Sequence, residues 1–314
     1  MESHAVNCLT GVYSEAAGNL SHALPEHAIF TRGNGYLFRA GKDERGYPEF
    51  TFPVEQTGAD GVTRSGFTVH HSQIRTESLY DDLDRLLRRY GTVVVWVNTA
   101  HLGYAGVYLD NPPYLHAILI DGVARDRSGV FLLDTLIVGN TPYSAKAFLS
   151  TADLLLAISD DVRTESHGGM GIFYTISSSS RAAVPEREAL NDQAMNFITI
   201  PEFKNGIEQY KKLCFAAFRD EPRRATAARR LFHHSSVLYL TPSLSLLGRA
   251  LSDAGMPGSL QAQNVAIIQH WQAMGVLALR YQATESSRVL DRIEARFDLI
   301  GLATEQFWSE LSES

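Results

Sequence analysis

The sequence contains two cysteines, and their surroundings predict different roles. Cys8 directly follows Asn7 and begins a segment, residues 8–24, whose apolar side chains recur at helical spacing. If Asn7 is the N-cap, the thiol lies in the first turn, where free backbone N–H groups and the helix dipole favour a thiolate, the nucleophilic form of cysteine. Cys214 lies in the middle of an apolar helical stripe and is expected to be a core residue. A lone cysteine is more often core than catalytic, so the case for Cys8 depends on partners elsewhere in the chain.

A predicted β-hairpin is the place where such partners could lie. Residues 114–120 and 130–136 are apolar strands, and the nine residues between them include two glycines. Pairing of Ile120 with Val130 across this loop would set the register of the hairpin. Opposed residues of antiparallel strands point to the same face of the sheet, so the register decides which side chains meet.

His116 lies opposite Asp134 in this register, with Cβ atoms about 4.5–5.5 Å apart. A carboxylate at that distance can orient an imidazole, and an imidazole can activate a thiol. The alternative is a surface His–Asp pair. Both residues are surrounded by apolar ones, however, and burying a charged group without a role is costly. Together with Cys8 they form a candidate Cys-His-Asp triad.

The elements around the candidate triad indicate an α+β fold. A helix over 77–90, stopped by Gly91, precedes a buried strand at 92–97. Another helix is predicted to start near residue 149, and a last strand covers 171–176. We therefore expect an N-terminal helix packed on an antiparallel sheet.

The composition changes after residue 176. Residues 177–192 hold four consecutive serines, a proline and several charges, which is typical of a linker. Residues 193–314 show helical periodicity throughout. The sequence predicts a catalytic domain over 1–176, a linker over 177–192 and an all-helical domain over 193–314.

Composition argues against several classes of protein. The net charge of −7 and the absence of an overall basic character argue against a nucleic-acid partner. The longest apolar runs have the length of strands, and the N-terminus lacks the basic and apolar regions of a signal peptide. We expect a cytoplasmic protein that does not span a membrane.

The remaining histidine and glycine motifs give no metal or phosphate site. The doublets at 70–71 and 233–234 lack metal-ligand spacing, and two distant cysteines do not make a structural zinc site. The glycine-rich segment 167–171 is interpreted as a loop, because no Gly-x-Ser-x-Gly motif accompanies it.

The order of these motifs resembles the papain-like N-terminal domain of butirosin biosynthesis protein H and its relatives. The resemblance covers about residues 5–160, and members of that family commonly carry a second, helical domain. Each matching segment is short, but their joint order is fairly specific. The segments are residues 7–13, 32–38, 93–104, 115–122, 131–134 and 149–157.

The resemblance implies a papain-like fold and an acyltransferase of natural-product, including antibiotic, biosynthesis. The acyl group would come from an acyl carrier protein or coenzyme A, on a phosphopantetheine thioester, and go to an amine or alcohol of a small molecule. The resemblance assigns Cys8 as the acyl-accepting nucleophile, His116 as base and acid, and Asp134 as the orienting group. No cofactor bound by the protein itself is expected. A thioesterase or cyclase, a peptidase, and a degenerate domain that only binds its partner remain as alternatives.

One departure from the papain-like pattern concerns the side chain that donates a hydrogen bond to the oxyanion of the tetrahedral intermediate. These enzymes usually carry a Gln a few residues before the cysteine, and this chain has none there. The Asn7 side chain and the Cys8 N–H are the candidate donors. The turn formed by Gly33, Asn34 and Gly35 is expected to lie beside the site.

A cluster of arginines stands out in an otherwise acidic sequence. One interpretation is a solvated helix face, and the other is a docking surface for an acidic carrier protein, since complementary charge steers association. The cluster consists of Arg223, Arg224, Arg229 and Arg230.

Overall fold

The computed structural model describes residues 5–314 except residues 21, 44, 52–53, 140–141, 161 and 163–169. The helices are α1 Cys8–Asn19, α2 Glu26–Arg32, α3 Val54–Arg64, α4 Leu79–Tyr90, α5 Gly106–Asp110, α6 Thr151–Ser159, α7 Glu186–Thr199, α8 Pro201–Lys204, α9 Gly206–Arg219, α10 Glu221–Phe232, α11 Leu240–Asp253, α12 Gly258–Thr284 and α13 Ser287–Ser312. The strands are β1 Arg39–Lys42, β2 Pro48–Thr51, β3 Phe67–Gln73, β4 Val93–Asn98, β5 Leu115–Val123, β6 Gly129–Asp134, β7 Ala145–Ser150 and β8 Ile172–Ser178.

The chain divides into two compact units. The first comprises residues 5–33 and 54–184, and the second comprises residues 34–51 and 185–314. This division differs from the predicted domains in two respects. Residues 34–51 group with the helices, since they include the hairpin of β1 and β2. The segment predicted as a linker contains the end of β8, paired with β3, and the first half of α7.

The first unit is built on a six-stranded sheet in the order β3-β8-β4-β5-β6-β7. Every pair of neighbouring strands is antiparallel. Helices and an antiparallel sheet thus occur together, and the α+β class predicted from the sequence is confirmed.

Strand β4 shows why this sheet has a core on both faces. Its six residues are all buried, with Val93, Val95 and Val97 in one cluster together with leucines of α4 and α6. Val94 and Trp96 belong to the other cluster, with residues of α1, α2 and α3. Successive side chains of a strand point to opposite faces, so a sheet covered on both sides needs an uninterrupted apolar run rather than alternation.

Several predicted elements of this unit need correction. Helix α1 ends at Asn19 rather than at residue 24, since Gly18 and Asn19 are poor helix formers. Strand β7 is not predicted by the sequence, because its small, charged and apolar residues carry little signal. The helix at 77–90 and its stop at Gly91, whose φ is +80°, are confirmed.

The second unit packs its helices around aromatic side chains, in keeping with the predicted helical character of this part of the chain. Phe50 of β2 stacks on Tyr210 with ring centroids 3.8 Å apart, and Trp271 and Phe297 are buried nearby. Cys214 of α9 is fully buried, as predicted. Among the described helices of either unit, none combines the length and the apolar character that a membrane span requires.

Candidate active site

The helix that carries Cys8 begins with the predicted cap. Asn7 has extended backbone dihedrals, φ −134° and ψ 138°, and its Oδ1 accepts hydrogen bonds from the N–H groups of Leu9 (3.0 Å) and Thr10 (3.2 Å). Cys8 is the first residue of α1 and is partly exposed. The cap thus leaves the thiol at the positive end of the helix, within reach of solvent.

Glu26, the first residue of α2, holds the segment before Cys8 in place. Its carboxylate accepts hydrogen bonds from the N–H groups of Val6 (2.9 Å) and Asn7 (2.9 Å) and from the hydroxyl of Thr10 (2.8 Å). Hydrogen bonds to an ionised acceptor are the stronger kind. Glu26 therefore fixes the direction in which the chain enters α1.

A glycine lets α1 approach the end of β6 closely. A Cβ at Gly11 would lie 2.4 Å from the Cβ of Ala5 and 2.6 Å from Oγ1 of Thr135, distances that no side chain tolerates. The N–H of Ala5 also donates to the carbonyl of Thr135 (3.3 Å). Because Thr135 directly follows Asp134, these contacts tie the helix of Cys8 to the strand that carries the carboxylate.

His116 and Asp134 form a direct ion pair in the interior of the first unit. His116 Nε2 lies 2.8 Å from Asp134 Oδ1, and the two residues are 2% and 0% exposed. Since Nε2 faces the carboxylate, the other ring nitrogen, Nδ1, is left for the thiol.

The register that brings this pair together differs from the predicted one. Leu119 pairs with Leu133, and a bulge lies between Ile120 and Gly122. The connection between the strands is the five residues 124–128 rather than nine. The alignment near the site is therefore shifted by two residues, and an even shift keeps every side chain on its face.

The Asp134 carboxylate accepts three further hydrogen bonds. The hydroxyls of Tyr104 (2.8 Å) and Tyr108 (2.5 Å) donate to Oδ2, and the N–H of Leu136 (3.1 Å) donates to Oδ1. The Tyr108 hydroxyl also lies 3.1 Å from Nε2 of His116. With these donors and the imidazole, the carboxylate has partners for both oxygens and is held in one orientation.

The protonation states follow from these contacts. Burial alone lowers the pKa of His116, but the charge and hydrogen bond of Asp134, with a smaller contribution from Cys8, raise it to about 10. Burial alone raises the pKa of Asp134, but His116 and the two tyrosine hydroxyls hold it below its usual value. The pair therefore rests as imidazolium and carboxylate at neutral pH. The contribution of Cys8 to the pKa of His116 places the thiol within interacting range of the ring.

The tyrosines around Asp134 were missed by the sequence reasoning. Tyr104 precedes the short helix α5 and Tyr108 lies within it, and the hydroxyls of both reach Oδ2 of Asp134. A third, Tyr114, lies two residues before His116, and their rings meet edge to face with centroids 6.1 Å apart. The sequence did contain a signal for them, since three tyrosines lie within the eleven residues before the strand that carries His116.

The turn predicted to lie beside the site is divided between the two units. Gly33 follows the C-terminal end of α2, about 10 Å along the helix from the end that contacts the Cys8 segment. A Cβ there would lie 2.1 Å from the carbonyl oxygen of Thr57, so packing explains this glycine. Asn34, with φ +59°, and Gly35 belong to the second unit, and Asn34 accepts a hydrogen bond from Asn196 (3.2 Å).

The arginine cluster lies on α10 in the second unit, and most of it is engaged there. Arg229 is exposed. The other three form ion pairs: Arg223 with Asp220 (3.3 Å), Arg224 with Glu285 (2.5 Å) and Arg230 with Asp43 (2.6 Å). Of the glycine-rich segment 167–171, residues 167–169 lie outside the described residues.

No protein-family model matches the chain, and no curated protein matches it either.

Proposed function

We propose that this chain is a cysteine-dependent acyltransferase in which Cys8 carries the acyl group as a thioester. The observation that supports it best is the line of groups at the start of α1: a partly exposed thiol, an imidazole beside it and a buried carboxylate behind the imidazole. A nucleophile, a base and a group that orients the base are the parts that covalent acyl transfer requires.

The reaction would proceed in two halves. The Cys8 sulfur attacks the carbonyl carbon of the donor thioester as a thiolate, with the proton already on His116. The tetrahedral intermediate collapses, the C–S bond to the donor breaks, and the imidazolium returns a proton to the departing thiolate. In the second half an amine or alcohol attacks the Cys8 thioester, gives its proton to His116, and the sulfur leaves.

Asp134 stabilises the imidazolium in both halves. The carboxylate is held by four donors and has a pKa below its usual value, so it remains ionised while the proton moves between the other groups. Because Asp134 keeps His116 charged, an imidazolium already lies beside the Cys8 sulfur when that sulfur attacks the activated acyl donor.

The fold, donor and acceptor of the proposal rest on the resemblance to the butirosin protein H family. A papain-like domain is supported by the order of a helix that opens with cysteine, a histidine strand and an aspartate strand on an antiparallel sheet. The donor is proposed to be a phosphopantetheine thioester of an acyl carrier protein or coenzyme A, within a biosynthetic pathway. Arg229, the exposed arginine of α10, would contribute to docking an acidic carrier.

Intact-mass spectrometry tests the proposal directly. The protein is incubated with a panel of acyl thioesters of N-acetylcysteamine, and the acyl mass is expected on the wild type and on Cys214→Ala. Cys8→Ala should gain no mass. The acyl group should leave when an amine or alcohol is added. Release in water alone, without an acceptor, would indicate a thioesterase, and full acylation of Cys8→Ala would exclude the covalent mechanism.

A further inference from the structure

The proposed reaction needs donors for a negative oxygen, and α1 supplies few. A tetrahedral intermediate on Cys8 places an oxyanion near the start of the helix. The cap occupies two of the first-turn N–H groups, since those of Leu9 and Thr10 both donate to Asn7. Within the described residues the N–H of Cys8 has no such partner. One backbone donor is thus available, and the Gln usual in papain-like enzymes is absent.

We propose that the hydroxyl of Tyr114 is the second oxyanion donor, paired with the N–H of Cys8. This inference rests on the proposed function, because an oxyanion forms only if Cys8 attacks a carbonyl. Phenol hydroxyls serve as such donors in enzymes, and their contribution is greatest where the site is shielded from water.

The position of Tyr114 supports this role. It lies two residues before His116, and alternate residues of an extended segment point to the same side. Its ring meets that of His116 edge to face at 6.1 Å and that of Tyr108 at the same distance. At 36% exposure it borders the site on the solvent side, where a substrate must enter.

The backbone of Tyr114 is fixed by a reciprocal contact with Thr99, which is fully buried. The N–H of Tyr114 donates to Oγ1 of Thr99 (3.1 Å), and the N–H of Thr99 donates to the carbonyl of Tyr114 (3.1 Å). A donor held in place before the reaction loses little free energy in ordering when the oxyanion forms.

The hydroxyl of Tyr114 interacts with the hydroxyl of Tyr108 rather than with the Asp134 carboxylate. The hydroxyls of Tyr104 and Tyr108 donate to Asp134 and are therefore committed. Burial, and then the charges of Cys8 and Asp134, raise the pKa of Tyr114, so its O–H keeps its proton throughout the neutral range. It donates a hydrogen bond to the oxyanion and transfers no proton.

Two reagents that attack the same sulfur separate this role from a structural one. Iodoacetamide alkylates a thiol without forming an oxyanion, whereas p-nitrophenyl acetate acylates it through a tetrahedral oxyanion. Both rates are measured at Cys8 for the wild type, Tyr114→Phe and Tyr90→Phe, which removes the same hydroxyl from the last residue of α4. For Tyr114→Phe we expect acylation to slow by about 10²–10³-fold, the usual loss for one oxyanion donor, and alkylation to be unchanged. Tyr90→Phe should resemble the wild type in both.

Other results would overturn the inference. If Tyr114→Phe is acylated as fast as the wild type, the hydroxyl is not a donor, although the proposed function survives. If both rates fall together, Tyr114 only positions the thiol. If the wild type is alkylated at Cys8 but not acylated, the site stabilises no oxyanion, and the proposed function fails with the inference.

Discussion

The hydroxyl of Tyr108 donates a 2.5 Å hydrogen bond to Oδ2 of Asp134. The hydroxyl oxygen of Tyr108 also lies 3.1 Å from Nε2 of His116, so Tyr108 contacts both members of the buried ion pair. Tyr108 is 1% exposed, and water therefore cannot easily replace its hydroxyl. The base of the proposed triad is thus oriented by a network of side chains rather than by a carboxylate alone.

Removal of this hydroxyl should weaken both the fold and the reaction. A hydrogen bond to a charged group contributes about 1.5–3 kcal/mol, so Tyr108→Phe should lower the free energy of unfolding in urea by roughly that amount. It should also lower kcat/KM for acyl transfer. Tyr104→Phe, at a more exposed position with a 2.8 Å bond, should have a smaller effect. Equal stability of Tyr108→Phe and the wild type would contradict this account of the network.

The pKa of His116 in different variants should show which of its partners raises that pKa more. Asp134 raises the pKa of the imidazole more than Cys8 does, against the opposing effect of burial. We expect the pKa, measured by nitrogen-15 NMR of labelled histidine, to fall slightly in Cys8→Ala and much further in Asp134→Asn. A pKa that is the same in all three proteins would show that the pair is not coupled.

The same shifts set a pH window for stability. The folded pKa of His116 is raised, so its stabilising contribution is complete below its ordinary pKa of about 6.5 and is lost as the pH rises through about 10. The folded pKa of Asp134 is lowered, so its contribution is present above its ordinary pKa of about 3.9 and is lost as the pH falls through the lowered value. The unfolding free energy of the wild type minus that of Asp134→Asn should therefore be largest near neutral pH.

Two glycines of the same helix test the close approach of α1. Gly11→Ala inserts a methyl group 2.4 Å from Ala5 and 2.6 Å from Thr135, which should destabilise the protein by about 1–3 kcal/mol and displace the thiol. Gly18 has no neighbouring atom within 4 Å of a Cβ, so Gly18→Ala should stabilise α1 by about 0.5–1 kcal/mol. Activity should fall in the first variant only, as measured by acylation of Cys8. Similar losses in both would mean that the close contacts of Gly11 with Ala5 and Thr135 are not the cause.

A matched pair of substitutions tests the support that Glu26 gives to the Cys8 segment. Glu26→Gln keeps the shape but replaces an ionised acceptor of three hydrogen bonds by a neutral one, so a loss of about 1–3 kcal/mol is expected. Glu15 is exposed on α1, and Glu15→Gln should be neutral. Urea unfolding measures the stability, and hydrogen exchange of the Val6 and Asn7 amides measures the local effect. Unchanged exchange in Glu26→Gln would refute the role.

The docking proposal for α10 makes a prediction that depends on salt. Arg229→Glu should slow acylation by a carrier-bound donor and leave acylation by a small thioester unchanged, because Arg229 is exposed and remote in sequence from the triad. The effect should shrink as salt rises, since exposed charges are screened beyond about 8–10 Å at physiological ionic strength. If Arg229→Glu and the wild type are acylated by the carrier-bound donor at equal rates at low salt, Arg229 is a solvated surface residue with no role in docking.

The parts of the site that depend on local rules could be predicted from the sequence. Asn7 caps α1 because a side chain at that position bonds the N–H groups two and three residues ahead, which sequence spacing alone decides. Asp134 reaches His116 although the predicted register was two residues off, since an even shift preserves the face. An odd error would have separated them.

The parts that depend on how loops fold could not be predicted. Tyr104 and Tyr108 lie in the segment between β4 and β5, and both reach Asp134 through the way this segment folds. No periodicity in the sequence predicts that conformation. Gly33 is a further case in which loop packing matters. A Cβ at this position would lie 2.1 Å from the carbonyl oxygen of Thr57, a contact that the sequence does not reveal.

The burial of Cys214 makes this protein convenient for chemical labelling. Cys214 is fully enclosed among the helices of the second unit, and burial raises the pKa of its thiol, against a weaker opposing effect of Tyr210. A fluorophore or spin label that reacts with thiols should therefore attach to the native chain at a single position, Cys8, without any cysteine being removed. The stoichiometry of fast labelling would then count intact sites in a preparation, and the second thiol, released on denaturation, would count the chains.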